Sequence, residues 1–177
     1  MALTQIQASM LAAGAARANF GAGAVLQVVQ TQLTTVQSFS TTSYTFTNVT
    51  GAAVTITPSS ASNKILVMYS CMAQTATPAP YYATYIRVTR NGTAVGVGAA
   101  SGLPTGTYAF STSGQYGMCM SQTFLDSPAT TSAVTYQLQV TGESSTNVVG
   151  GSYNAYPTGA SPQPNVPTTI IVMEIAA

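Results

Sequence analysis

Only seven side chains in this sequence of 177 carry a formal charge: Arg17, Lys64, Arg87, Arg90, Asp126, Glu143 and Glu174. That is 4% of the chain, against about 25% in ordinary globular domains. There is no His and no Trp. The apolar fraction is nevertheless 46%, so the chain is hydrophobic enough to build a core. Disorder needs low hydrophobicity with high net charge, and neither is present. The polar surface must therefore be made of Thr, Ser, Gln, Asn and Gly. These residues alternate with apolar ones along much of the chain, which places the uncharged surface on strands. A net charge of +1 offers little protection against self-association, so part of the surface is expected to be covered by partner subunits.

The length fits one domain, or one domain with an arm. Residues 1–23 differ from the rest. They are Ala-rich, and Leu3, Ile6, Met10 and Leu11 fall near helical spacing, while Gly14, Gly21 and Gly23 limit any helix. This segment reads as an arm that orders on a partner, with Leu3, Ile6, Met10, Leu11 and Phe20 as its docking residues. No secretory signal and no stretch long enough to span a membrane is expected, which points to assembly in a cytoplasm.

From Ala24 to Ala177 the pattern is β. AVLQVVQTQL opens it, followed by SYTFTNV and AAVTITP with Gly51 as a turn between them. KILVMYSCMAQ reads as a long apolar strand covered on both faces. Asn91-Gly92, between YIRVTR and TAVGVG, predicts a two-residue type I′ hairpin. Arg87 and Arg90 precede it at odd spacing and so point to opposite faces. Residues 99–113 read as loop. GQYGMCMSQTFLD, SAVTYQLQV, VVGGSYNAY and TTIIVMEI are further strands, and PTGASPQPNVP is a loop leaving the sheet. In SAVTYQLQV, Val134, Tyr136, Leu138 and Val140 share one face. Some eight to ten strands separated by turn signals predict an all-β, jelly-roll-like β-sandwich.

Catalytic chemistry is poorly provided for. A serine or cysteine nucleophile would lack a histidine base. The three carboxylates are scattered, and Asp126 with Glu143 is the nearest approach to an acid pair. Lys64, at the start of a strand, reads as an exposed lysine. No phosphate loop is present, and four basic residues cannot neutralise a nucleic-acid track. No enzyme activity, metal or cofactor is expected. Cys71 and Cys119 read as two buried free thiols, with a disulfide between neighbouring strands as the alternative that their spacing does not signal. Glu174 is expected at the rim of the last strand, with burial beside Arg87 or Arg90 as the alternative. Tyr81, Tyr82, Tyr85, Tyr153 and Tyr156 flank two Pro-rich loops. They are candidates for contact with a host-surface glycan or receptor, or for packing against loops and neighbouring subunits.

Four segments, NFGAGAVLQVVQ, ITPSSASNKILV, FLDSPATTSAVTYQLQV and TTIIVMEIAA, together resemble small β-structured virion proteins of tailed phages, cyanophages among them. The resemblance implies a trimeric jelly roll, similar in outline to tumour-necrosis-factor-like folds, found on capsid surfaces and at tail-fibre ends. With an arm leading directly into one domain, the expectation is a capsid decoration (cement) protein on the particle surface. It would be a homotrimer docked on the major capsid protein or another virion protein, assembled in the host bacterial cytoplasm. A tail-fibre or receptor-binding protein is the alternative.

Overall fold

The computed structural model describes residues 21–40, 44–75, 82–98, 106–111, 117–143, 146–151 and 165–177. These form eleven strands and, among the described residues, no helix. The strands are β1 (Val25–Leu33), β2 (Gln37–Phe39), β3 (Thr47–Ile56), β4 (Lys64–Thr75), β5 (Tyr82–Arg90), β6 (Thr93–Val95), β7 (Thr107–Ser111), β8 (Met118–Asp126), β9 (Val134–Gly142), β10 (Asn147–Val149) and β11 (Thr168–Ile175).

All the pairings between these strands are antiparallel, in two sheets. In the first sheet the order is β1-β11-β4, with β8 on the other side of β4 and the short β10 and β2 continuing past the end of β11. In the second the order is β3-β9-β5, and β6 and β7 share the outer edge of β5. With β6 and β7 counted as one interrupted strand, and β2 and β10 set aside, the sheets read 1-8-3-6 and 2-7-4-5 in chain order. That is the strand order of a jelly roll. Among these eight strands every connection crosses between the sheets except the β5–β6 hairpin and its continuation into β7. The predicted all-β sandwich is thus observed.

The core lies between the sheets and follows from period-2 alternation. Ile65, Val67, Tyr69 and Cys71 of β4 and Ile170 and Val172 of β11 face Val54, Ile56, Val88, Tyr136, Leu138 and Val140 of the second sheet. The β9 face read from sequence is the buried one. Asn91 (φ 48°) and Gly92 (φ 88°) both take the left-handed conformation that a type I′ turn demands. β11 is central, between β1 and β4.

Several expectations need correction. Gly51 does not separate two strands. It sits at φ 79° in a bulge within the continuous strand β3, where the pairing with β9 jumps from Asn48↔Gln139 to Ala53↔Gln137. The Gln137 amide fastens the bulge by donating to the Val49 and Ala52 carbonyls. The stretch read as loop at 99–113 contains β7, which pairs with β5 through Thr107–Ser111. Its Thr-Tyr-Ala-Phe-Ser sequence is strand-compatible, but the surrounding Gly and Pro mask the signal. Cys71 is buried, whereas Cys119 on β8 is exposed. Burial pushes the Cys71 thiol up to about 12, with a smaller push from Cys119. β4 is covered on one face by the second sheet, but no described strand covers its other face.

Candidate functional site

The sandwich has two distinct ends. At one, the chain enters β1 and leaves β11, tied by Gly23 N–H to Ala176 O (2.8 Å) and Ala176 N–H to Ala24 O (2.9 Å). The β3–β4 loop, the β5–β6 turn and the β8–β9 loop lie at this end too. At the other end lie the ends of β4 and β9, the starts of β5 and β8, and Tyr44.

Glu174 organises the entry end. It follows Ile170 and Val172 in phase, so its side chain points inward, and it is 0% exposed. The expected rim position is therefore wrong, and so is the alternative of an arginine partner. Oε1 accepts from Ser59 N–H (2.6 Å), Ser59 Oγ (2.7 Å) and Asn63 Nδ2 (2.7 Å), and Oε2 from Gln27 Nε2 (2.6 Å). Burial by itself raises a carboxyl's pKa. Here the donations from Asn63, Ser59 and Gln27 outweigh it and hold Glu174 below the ordinary carboxylate range. Asn63 Oδ1 in turn accepts the Ala177 N–H at 3.2 Å. One carboxylate thus joins β1, the β3–β4 loop and the end of the last strand.

The other described charges are also committed to structure. Arg90 reaches across the sandwich and donates to both oxygens of Asp126 at 2.8 Å, while Tyr136 Oη donates to Asp126 Oδ2 at 2.7 Å. Burial and the Asp126 carboxylate raise the Tyr136 phenol. Lys64 Nζ donates to Ser127 Oγ at 2.7 Å. Arg87 points to the opposite face from Arg90, as its spacing required. It lies 3.7 Å over the Phe46 ring and donates to Gln139 Oε1 at 2.9 Å.

Glu143 lies at the far end. It accepts from Tyr44 Oη (2.8 Å) and Tyr85 Oη (3.2 Å), and the two rings meet edge to face with centroids 6.1 Å apart. Tyr44 takes an unusual φ of 61° and is exposed; Tyr85 is buried. The Glu143 carboxylate raises the Tyr44 phenol. From Tyr136, which holds Asp126, to Glu143 the extended strand runs roughly 23 Å. The two carboxylates considered as an acid pair therefore do not converge.

Of the sequence candidates, Tyr85 belongs to this cluster and Tyr82 opens β5, its backbone paired with Ser111. Tyr81, Tyr153 and Tyr156 lie outside the described residues, as do Leu3, Ile6, Met10, Leu11 and Phe20. Sequence reasoning missed Tyr44 and the Ser59–Asn63–Gln27 cradle. The phase of Glu174 with Ile170 and Val172 was the available signal for the cradle; Tyr44 offered none, because its partners are distant in sequence.

The outer faces of the two sheets differ in kind. On the second sheet, Thr55 and Thr135 share a hydroxyl bond (2.7 Å), Gln139 bonds Asn48 (2.8 Å), and Arg87 packs on Phe46. On the first sheet, the register aligns Val28, Met173, Leu66 and Leu125 in one row across β1, β11, β4 and β8. Beside it run a row of Gln30, Ile171, Met68 and Thr123 and a row of Val25, Ile175 and Lys64. Val25, Val28 and Leu125 are 51%, 54% and 56% exposed.

No family model matches the chain, and no curated protein matches it. Among solved structures, one of the infectious bursal disease virus Gt strain is similar at 17% identity and a TM-score of 0.36, over 85% of this chain and 38% of that one. This chain thus spans well under half of that neighbour's length.

Proposed function

We propose that this chain is a non-enzymatic structural protein of a phage particle, a self-associating subunit that decorates and stabilises the capsid surface. The observation that carries this reading is the use made of its charges. All six described ionic side chains, Lys64, Arg87, Arg90, Asp126, Glu143 and Glu174, are engaged with neighbours that hold the sandwich together. A catalytic site needs titratable groups aimed at a shared substrate position. Here they are dispersed over both ends of a jelly roll and absorbed by its own loops and strands. The phage assignment rests on the resemblance of the four sequence segments. Stabilisation would come from apolar contact between subunits and from the arm on its partner. At about 25 cal/mol per Å², a contact of several hundred Å² contributes several kcal/mol before ordering costs. Repetition over a lattice multiplies it.

The test is copy number. Quantitative densitometry of purified virions should find hundreds of copies per particle, on the capsid. A few tens or fewer, confined to the tail, would overturn the decoration reading in favour of a tail-fibre or receptor-binding protein. One feature favours that second reading: the exposed Tyr44 set edge to face with Tyr85 beside Glu143, at the end opposite the entry into β1. An exposed aromatic ring with an adjacent carboxylate suits a glycan.

A further inference from the structure

We infer that the outer face of the first sheet is the surface through which one copy of this chain packs against another. The inference rests on the reading of the chain as a self-associating subunit and assigns the interface.

Two independent features of the sequence converge on this face. In β4 both phases of the alternation are apolar: Ile65, Val67, Tyr69 and Cys71 fill the core, while Leu66, Met68 and Met72 point the other way. β11 repeats this, with Ile171, Met173 and Ile175 outward. A sheet with one wet face should alternate apolar with polar. The second sheet obeys that rule, with Thr55, Thr135, Gln137 and Gln139 outward. The first sheet breaks it in its two central strands and again at Val28 and Leu125 on the strands beside them. A contiguous apolar face of this kind marks a contact surface.

Three properties favour a second copy as the cover. The first is area. Four strands spaced about 4.8 Å apart and three rows of outward residues give a projected patch of roughly 400 Å², apolar except at Gln30, Thr123 and Lys64. Two such patches and their polar margins together exceed the ~1,000 Å² expected of a specific interface. The second is charge. Lys64 alone among the row residues is ionic, and it stands in the end row with Val25 and Ile175, bonded to Ser127, so each copy brings a single peripheral charge to the contact and no strongly charged partner is selected. The third is the chemistry of the margin. The row beyond the apolar ones is Gln32, Thr169, Ser70 and Ser121. Amides and hydroxyls donate and accept equally, so such a margin can bond to a copy of itself. A margin of carboxylates or ammonium groups could not.

The test is the mass of the purified full-length chain in solution. Sedimentation velocity at micromolar concentration should give a multiple of the 18.1 kDa chain mass. Leu66→Lys and Met173→Lys should each weaken association at least tenfold with an unchanged far-UV spectrum. Thr55→Lys, on the outer face of the second sheet, should leave the mass unchanged. Should the lysine variants misfold, a spin label at Leu125→Cys in a Cys119→Ser background gives an independent readout. Leu125 is already exposed, and the labels should show dipolar broadening that vanishes on dilution with unlabelled chain. A monomeric wild type overturns the inference. So does a monomer whose first sheet is protected from hydrogen exchange by residues 1–20, which would make the chain's own arm the cover. Oligomers insensitive to Leu66→Lys, or labels without broadening, overturn it too. None of these results depends on where the protein sits in a virion, which copy number decides separately.

Discussion

Glu174 is a buried carboxylate with no cationic partner, satisfied by one amide N–H, one hydroxyl and two side-chain amides. Its lowered pKa ties stability to pH in a definite direction. The ionised form is favoured by the fold, so its contribution is complete above the ordinary carboxylate value near 4.5 and is lost as pH falls through the lowered folded value. Glu174→Gln presents an amide group to donors and should cost about 2–4 kcal/mol at neutral pH, measured by urea unfolding. It should also flatten the acid limb of the stability curve below pH 4.5. At the Arg90–Asp126–Tyr136 contact, Tyr136→Phe removes one hydrogen bond to a charged acceptor and should cost about 1.5–3 kcal/mol in the same measurement. Glu174 was misread from sequence because charge was weighed above phase. A carboxylate between Met173 and Ile175 looks like a strand end until the donors at Ser59 and Asn63, more than a hundred residues earlier, are brought against it.

At the scale of elements, the strands with strong alternation were legible: β9 by its Val-Tyr-Leu-Val face, the β5–β6 turn by Asn91-Gly92, and β11 by its β-branched run. The misreadings fell where local chemistry and sheet context disagree. Gly51 has the backbone freedom of a turn residue, but the neighbouring strand β9 continues past it, so the freedom is spent on a bulge. β7 sits among Gly, Thr and Ser, and only its pairing with β5 defines it. No atom lies within 4 Å of a Cβ built on Gly92, so Gly92→Ala tests conformation alone. It should destabilise by about 1 kcal/mol, read from thermal unfolding, with faster hydrogen exchange confined to β5 and β6.

At the scale of the molecule, the sequence conveyed the scarcity of charge but not how the polar and apolar surface is distributed. The structure divides a sparsely charged chain into a hydrogen-bonded polar face and an apolar one, a difference invisible to composition. Association through such faces should be indifferent to ionic screening. Sedimentation from low to molar sodium chloride should therefore show an unchanged oligomer, and dissociation at high salt would show that ion pairs contribute more than proposed. Deleting residues 1–20 should abolish binding to particles that lack this protein while leaving the oligomer intact, checked by co-sedimentation with the particles. The pairing of β1 with β11 at the entry end also sets how the fold bears load. Val25 and Ile175 lie opposite each other in antiparallel strands. Tension applied between the chain's two exits would peel that pair open one hydrogen bond at a time, like a zipper. Tension between the arm and the tyrosine end would instead run along the strands and load many bonds at once in shear. A subunit held by its arm and pulled at its far end thus resists in its strong direction, so the same domain is mechanically soft or stiff according to where it is gripped.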